Sequence, residues 1–125
     1  MKMALDDAGD LNIISAYRPG EVRIRGKAHT TRLLVLPRRL QREGIPASIA
    51  DLCEQSLAPV VESGVGILIL GTGERQHFPP AHTLASLMRA QIGYEIMDNA
   101  AACRTFNILL GEGREAALLL LDDPA

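Results

Sequence analysis

The stretch that decides the fold is a nine-residue run, Val65-Gly66-Ile67-Leu68-Ile69-Leu70-Gly71-Thr72-Gly73. The run is apolar without alternation and ends in glycines, which is typical of a strand buried on both faces of a sheet. Strands of this kind are covered by helices on both sides of the sheet. The run therefore predicts an α/β fold.

Downstream of this run, helical and strand patterns alternate. Pro79-Pro80 favours the start of a helix, because proline fits the first helical turn, and Asp98 or Asn99 is suited to cap a later helix. The predicted elements are a helix over residues 81–92, a strand over 94–98, a helix over about 100–110 and a strand over 115–121. Because helices separate these strands, we expect parallel βαβ crossovers.

Upstream of the run, the pattern is first β-type and then helical. Residues 48–64 carry apolar side chains at helical spacing, which predicts a helix that Ser48 caps and Pro59 interrupts. Cys53 lies on the apolar stripe of that helix, so we expect it in the core. The earlier β-type runs, which predict an antiparallel unit, cover residues 13–17, 21–25 and 31–36, and a polar connection follows over 37–46.

These patterns together predict one α/β domain over residues 13–125, with three layers of β/β/α type. We expect a mixed sheet, with an N-terminal antiparallel β unit and C-terminal βαβ crossovers. The chain has 125 residues, of which 47% are hydrophobic, so it can form a core without a metal or a disulfide. Residues 1–12 are acidic and are expected to be a disordered leader.

Composition also bears on location and cofactors. No apolar stretch approaches the ~20 residues that a membrane span needs, and the acidic start lacks the features of a signal peptide or presequence. We therefore expect a cytoplasmic protein, or a mature protein that has already been processed. Cys53 and Cys103 form no Cys-x-x-Cys pair, so we expect reduced thiols, no metal site and no cofactor.

Charge is distributed unevenly along the chain. Residues 18–42 contain eight basic residues and one acidic residue, whereas the chain from Glu62 onward is acidic overall. A basic β face of this kind suits phosphate or an acidic protein partner. The alternative is that solvated arginines protect exposed strand edges from pairing. Only four aromatic residues occur, which disfavours nucleic acid as a partner because single-strand binding relies on aromatic stacking.

The candidate ligand or partner site consists of residues in two loops. Carboxyl ends of neighbouring parallel strands meet at one edge of a sheet, where α/β proteins build their sites. A phosphate-binding loop after the first strand is disfavoured, because the third glycine of the fingerprint is missing and the next helix begins late. The candidate residues are Gly71, Gly73 and Arg75 in one loop and Asp98, Asn99, Cys103 and Arg104 in the other.

Cys103 is the candidate nucleophile in this set. It lies in the first turn of a predicted helix beside Arg104, and both the helix dipole and the guanidinium are expected to lower the thiol pKa. A catalytic thiol also needs a base, and His77 or His82 reaches it only if the two loops adjoin. The alternative is a small buried thiol without a catalytic role.

Several segments resemble a known family in their order and spacing. They are residues 66–73, the Phe78-Pro79-Pro80 helix start, residues 24–36 and above all Gly93-Tyr94-Glu95-Ile96-Met97-Asp98-Asn99-Ala100-Ala101-Ala102-Cys103-Arg104-Thr105-Phe106-Asn107-Ile108-Leu109-Leu110-Gly111-Glu112-Gly113-Arg114. The chain resembles, over nearly its whole length, the uncharacterised-domain family that includes NADH:ubiquinone oxidoreductase complex assembly factor 3 and the adipogenesis-associated domain-containing protein.

This resemblance implies a compact three-layer fold, with β strands packed beside an α/β unit, and no established enzymatic activity. In the family, bacterial members are of unknown function and the mitochondrial member is an accessory factor in building a respiratory complex. Because the acidic start lacks a presequence, a bacterial cytosolic member fits better than a mitochondrial one.

Two functions follow as hypotheses. The first is a small non-catalytic accessory or interaction domain that binds a protein partner and assists assembly of a larger complex. The second is a small-anion-binding domain or thiol-dependent enzyme that uses the loops around residues 71–75 and 98–104. The sequence does not decide between enzyme and non-enzyme, although it favours the non-enzyme, and it leaves open whether the chain forms a homo-oligomer.

Overall fold

Eight strands and three α-helices make up the part of the chain that the computed structural model describes, residues 11–125. The strands are β1 (Ile14–Arg18), β2 (Glu21–Ile24), β3 (Lys27–Thr30), β4 (Leu33–Val35), β5 (Leu40–Gln41), β6 (Ile67–Gly71), β7 (Gly93–Met97) and β8 (Ala116–Leu120). The α-helices are α1 (Ala58–Ser63), α2 (Ala85–Arg89) and α3 (Asn99–Gly111), and the 3-10 helices are Ile49–Asp51, Glu54–Leu57 and Ala81–Leu84.

The strands form two sheets. β1, β2 and β3 form an antiparallel sheet in that order, and the other five form a mixed sheet in the order β5-β4-β8-β6-β7. Within the mixed sheet β6 lies parallel to both β7 and β8, while β4 lies antiparallel to β8 and β5. The predicted α/β class, with an N-terminal antiparallel unit and C-terminal βαβ crossovers, is confirmed.

The mixed sheet is the middle layer and carries a core on each face. Leu68 and Leu70 of β6 face the short helices α1 and α2, while Ile69 faces α3 and the three-stranded sheet. All three side chains are fully buried. The apolar run around β6 is therefore buried on both faces, as predicted, because each face is covered by a different layer.

The longest helix, α3, begins where the sequence places it. The Asp98 carboxylate accepts a hydrogen bond of 2.9 Å from the Ala101 amide, so Asp98 is the N-cap and Asn99 is the first helical residue. Residues 11–125 contain no helix long and apolar enough to cross a lipid bilayer.

The helix predicted over residues 48–64 is wrong as one continuous element. Leu52 and Cys53 have extended backbones, which split the segment into two 3-10 turns before α1. Pro59 lies in the first turn of α1, where its missing N–H leaves no helical bond unmade, so a new helix begins there. Ser48 makes no side-chain cap hydrogen bond. The break also exposes Cys53, which corrects its predicted place in the core.

The helix predicted over residues 81–92 is also shorter than expected. It is a 3-10 turn followed by α2, which ends at Arg89. Gln91 adopts a φ of 60°, in the left-handed region, and the Ile92 amide then bonds to the Leu87 carbonyl at 2.8 Å. This local reversal ends the helix before Ile92 and directs the chain into β7.

The N-terminal β region contains more strands than the sequence pattern indicates. β3 has no apolar alternation and β5 lies inside the predicted polar connection, so neither carries a strand signal. The run over residues 31–36 supplies β4, which joins the mixed sheet instead of the antiparallel unit. Most of the expected leader, residues 1–10, lies outside the described residues, but Asn12 is buried and donates to the Leu36 carbonyl at 2.7 Å.

One side-chain amide attaches the three-stranded sheet to α3. Asn107 accepts a hydrogen bond from the Ile14 amide at 2.8 Å and donates one to the Ile14 carbonyl at 2.7 Å. These are the two bonds that a neighbouring strand would make with Ile14. Asn107 thus substitutes for a partner strand at the edge of β1.

Asn107→Asp tests this attachment, because the carboxylate still accepts from the Ile14 amide but repels its carbonyl. We expect the free energy of unfolding to fall by about 1–3 kcal/mol, the cost of leaving a partly buried polar group unpaired. Urea unfolding of both proteins measures the change. Glu112→Gln, at an exposed position after α3, is the control, and an equal loss in the control would contradict the assigned role.

Candidate functional site

The two loops of the sequence-predicted site meet at the carboxyl ends of β6 and β7. Gly71 pairs with Met97 in the parallel ladder, so the chain leaves both strands at the same edge. The Thr72 amide donates to the Met97 carbonyl at 3.0 Å, and the Asn99 amide donates to the Gly73 carbonyl at 2.8 Å. The structure therefore brings Gly71, Gly73 and Asn99 together.

Asn99 is the centre of this arrangement. Its side chain is 1% exposed, accepts from the Gly73 amide at 3.1 Å, and donates to the Leu121 carbonyl at 2.9 Å and the Tyr17 hydroxyl at 3.1 Å. A Cβ added at Gly71 would overlap the Asn99 carboxamide oxygen and the Leu120 side chain. Gly71 is thus required so that Asn99 can lie against β6, and not for an incoming phosphate.

The loop after β6 does present backbone amides to an anion, but the anion is the protein's own carboxylate. Asp123 accepts hydrogen bonds from the Glu74 amide at 2.9 Å and the Arg75 amide at 3.2 Å. Its Oδ1 also lies 3.0 Å from His77 Nε2. The amides that a phosphate-binding loop would offer to its ligand are therefore already bonded to the Asp123 carboxylate.

Several of these hydrogen bonds act on the ionisation of Asp123. Partial burial by itself raises the carboxyl pKa, but the hydrogen bonds from the Glu74 amide, the His77 ring and the Arg75 amide together lower it. The pKa of Asp123 is therefore below its usual range. The carboxylate is more strongly bound to this loop when it is charged than when it is protonated.

Tyr17 joins these two loops to the N-terminal sheet. Its hydroxyl donates to a Glu74 carboxylate oxygen at 2.5 Å and accepts from Asn99. Burial and the Glu74 carboxylate both raise the pKa of Tyr17, so the phenol stays neutral at all ordinary pH values. Tyr17, Gly73, Asn99 and Asp123 line a shallow cleft of about 170 Å³.

Cys103 and Arg104 lie in a different place. Together with residues of β1, including Tyr17, they line a groove of about 320 Å³ between β1 and α3. The Cys103 residue is 4% exposed, and burial raises its thiol pKa to about 12 although the Arg104 charge acts in the opposite direction. The predicted lowering of the Cys103 pKa is wrong, because desolvation outweighs the effect of the Arg104 charge.

Within the described residues, no histidine forms a hydrogen bond with Cys103. His77 bonds to Asp123, and His82 is exposed on the 3-10 helix before α2. Arg75 takes part through its backbone and has an exposed side chain, and Asp98 is committed to capping α3. Of the seven predicted residues, Gly73 and Asn99 thus line one cleft and Cys103 and Arg104 line the other, and Tyr17 lines both, whereas Gly71, Arg75 and Asp98 line neither.

Sequence reasoning missed Tyr17, Glu74 and Asp123. Tyr17 is one of only two tyrosines in the chain, and Asp123 lies three residues after the last strand, but neither position belongs to a recognised motif. Within residues 11–125, no three His, Cys, Asp or Glu side chains cluster closely enough to hold a metal ion.

Asp123→Asn tests the internal anion. Because the folded-state pKa of Asp123 is lowered, its contribution to stability is full above the unfolded value of about 3.9 and is lost as pH falls through the folded value. We expect the variant to be less stable by about 1 kcal/mol at pH 7, a small value since the carboxylate is partly solvent-exposed. The difference should shrink below about pH 4. Thermal unfolding at several pH values measures it, and parallel curves would contradict the assignment.

Comparison with known proteins bears on this architecture. The chain is 33% identical over 115 residues to NADH dehydrogenase (ubiquinone) 1 alpha subcomplex assembly factor 3 of Danio rerio, a match covering 90% of this chain and 66% of that relative. A protein of that name from Homo sapiens is 27% identical, with 94% of this chain and 65% of the relative covered. The chain thus spans slightly less than two thirds of the length of these curated relatives.

A solved structure shares nearly the whole fold. A crystal structure of a Bordetella parapertussis protein superposes with a TM-score of 0.82 at 30% identity, covering 92% of this chain and 99% of that one. A family model for proteins of unknown function, DUF498/DUF598, matches residues 14–121, which includes every strand and helix described above. The resemblance found in the sequence is confirmed, and the chain belongs to the DUF498/DUF598 family of proteins of unknown function.

Proposed function

We propose that this chain is a non-catalytic accessory domain that binds a protein partner during assembly of a larger complex. Relatives named as assembly factors of NADH dehydrogenase support this role. The observation that carries the proposal is an exposed apolar surface on the connection between β6 and β7.

Three large apolar side chains of this part of the chain are exposed, Phe78, Met88 and Tyr94, and we call them together the crossover surface. They are 69%, 67% and 38% exposed, and they lie in the loop before α2, on α2 and on β7. Tyr94 pairs with Leu68 in the parallel ladder, so its side chain is on the α2 side of the sheet. All three therefore belong to one βαβ unit.

The exposure of these side chains matters because the chain has so few of their kind. It contains two Phe and two Tyr, and one of each lies in the crossover surface. Covering such a side chain contributes roughly 1.5–3 kcal/mol, and aromatic residues and methionine are enriched at protein interfaces. A groove of about 500 Å³, whose lining includes Ala58 and Val61 of α1 and Ser86 of α2, lies on the same side of the sheet.

The alternative of a thiol-dependent enzyme has less support in the geometry. Its nucleophile would be a neutral, buried Cys103 with a pKa of about 12, whereas catalysis requires a thiolate and an adjacent base. The other thiol, Cys53, is exposed, and hydrogen bonds from Ser56 lower its pKa. Cys53 lies outside the candidate site.

The exposed, unpaired Cys53 thiol also bears on location. An accessible thiol of lowered pKa persists best in a reducing compartment, which supports the cytoplasmic location that we propose.

Phe78→Ser combined with Met88→Ser tests the crossover surface. We expect recovery of partner proteins from an extract of the native organism to fall about tenfold, because an anchor side chain contributes 1.4 kcal/mol or more. Quantitative mass spectrometry of affinity-purified material measures this recovery. The melting temperature should stay unchanged, since both side chains are exposed.

Ile108→Ser provides the matched control. Ile108 is 60% exposed on α3, on the opposite side of the mixed sheet, so its loss removes the same kind of side chain from another surface. The proposal fails if the control loses the same partners as the double variant, or if the double variant loses none.

Cysteine labelling distinguishes the accessory domain from the thiol enzyme and reports the compartment. We expect Cys53 to react with maleimide at least about 100-fold faster than Cys103, which should react only after unfolding in urea, because the thiolate is the reactive form. A membrane-impermeant maleimide should label Cys53 after cell lysis and not before. Rapid labelling of Cys103 in the Cys53→Ser variant would revive the enzyme hypothesis, and labelling of Cys53 in intact cells would exclude the cytoplasm.

A further inference from the structure

The hairpin between β2 and β3 has an unusual turn. Arg25 and Gly26 have φ values of 53° and 82°, so both central residues are in the left-handed region. Turns of this type favour Asn, Asp or Gly at the first position, and a residue with a long side chain is strained there. The strained backbone places a guanidinium next to the start of β3, and no packing requirement accounts for it because Arg25 is exposed.

The two residues of β3 that share a face with the core are polar. Lys27 lies opposite Ile24 and His29 lies opposite Val22 in the antiparallel ladder, and residues opposite each other in such a ladder share a face. Val22 and Ile24 are buried against the mixed sheet. Lys27 and His29 therefore point to the side where the two sheets meet, at the outer edge of that interface.

A crevice of about 310 Å³ opens at this edge. Ile24 and Leu40 supply apolar surface, while Arg25, Lys27 and His29 supply the polar rim. Asn12 completes the lining, but its amide nitrogen already donates to the Leu36 and Arg39 carbonyls. The crevice thus joins an apolar floor to a cationic rim.

The cations around the crevice form no salt bridge with a carboxylate of the described residues. Arg42 donates a hydrogen bond of 3.1 Å to the Thr30 carbonyl at the end of β3, and this bond holds the Arg42 guanidinium beside β3. Burial, and then the Arg42 and Lys27 charges, lower the pKa of His29. Within residues 11–125, the salt bridges involve neither Arg25, Lys27 nor Arg42. An anion that enters here gains attraction without displacing a carboxylate of the part of the chain that the structure describes.

We propose that this crevice binds a low-molecular-weight organic acid. Its apolar body contacts Ile24 and Leu40, and its carboxylate is held by Lys27 and Arg25. This site lies on the opposite side of the mixed sheet from the crossover surface, so the inference goes beyond the accessory role and does not depend on it. A ligand site also differs from the alternative in which these cations only protect the strand edge from pairing, because protection requires no ligand.

Titration with 4-phenylbutyrate tests the site, with 4-phenylbutanol as the uncharged match and acetate as the match without an apolar body. Amide shifts of residues 24–29 and of Leu40, followed by two-dimensional NMR at constant ionic strength, measure binding. We expect saturable shifts with 4-phenylbutyrate. Phenylbutanol and acetate should each bind about fivefold or more weakly, because a small ligand in this crevice needs both its charge and its apolar body. Equal binding of the alcohol overturns the anion site, and equal binding of acetate overturns the apolar floor.

Two variants locate the binding charge. Arg25→Asn removes the guanidinium and places a residue that tolerates positive φ in the turn, so folding is retained and thermal unfolding checks it. Lys27→Gln removes the second cation. Each variant is expected to weaken 4-phenylbutyrate binding by about threefold to tenfold, the range for one partly exposed charged contact.

Arg89→Gln is the control, because Arg89 is exposed and lies on α2, on the opposite side of the mixed sheet from the crevice. Its effect should stay below about twofold, since its charge is screened from the crevice by solvent. The proposal is overturned if Arg89→Gln weakens binding as much as the crevice variants. It is equally overturned if 4-phenylbutyrate produces no saturable shifts at these residues.

Discussion

The carboxamide of Asn99 joins three segments that are distant in sequence: the loop after β6, the end of β8 and the first strand of the N-terminal sheet. It does so through the Gly73 amide, the Leu121 carbonyl and the Tyr17 hydroxyl. Inside the protein, each of these bonds replaces one to water, so the buried group must be satisfied completely. The absence of a side chain at Gly71 leaves the space that Asn99 fills.

This constraint decides what the carboxyl edge of the sheet can do. In many α/β proteins the corresponding loop offers free amides to a ligand. Here the Gly73 amide bonds to Asn99, and the Glu74 and Arg75 amides bond to Asp123. The edge is therefore a closed polar network that holds the two sheets and the end of the chain together. The exposed features that suit binding lie elsewhere, on the crossover surface and at the crevice beside β3.

Local sequence signals predicted the elements that local physics determines. The apolar run around β6, the Asp98 cap of α3 and the fully buried β8 were all readable, because burial and capping leave a pattern within ten residues or so. β3 was not readable, since its exposed edge position imposes no apolar alternation. The Asp123 network was not readable either, because its partners are 46 to 49 residues away along the chain.

Cys103 shows how three-dimensional context reverses a local argument. The helix start and Arg104 both favour the thiolate, and the Arg104 charge does lower the pKa as the sequence suggests. Burial of Cys103 against β1 has the larger effect on the thiol pKa. Removing water destabilises the thiolate more than the exposed Arg104 guanidinium stabilises it. The packing of β1 against α3, to which Asn107 contributes through Ile14, thus provides the burial that raises the thiol pKa. The Cys103 thiol therefore does not match the thiolate that covalent catalysis requires, and the binding surfaces that we propose lie where side chains remain uncovered.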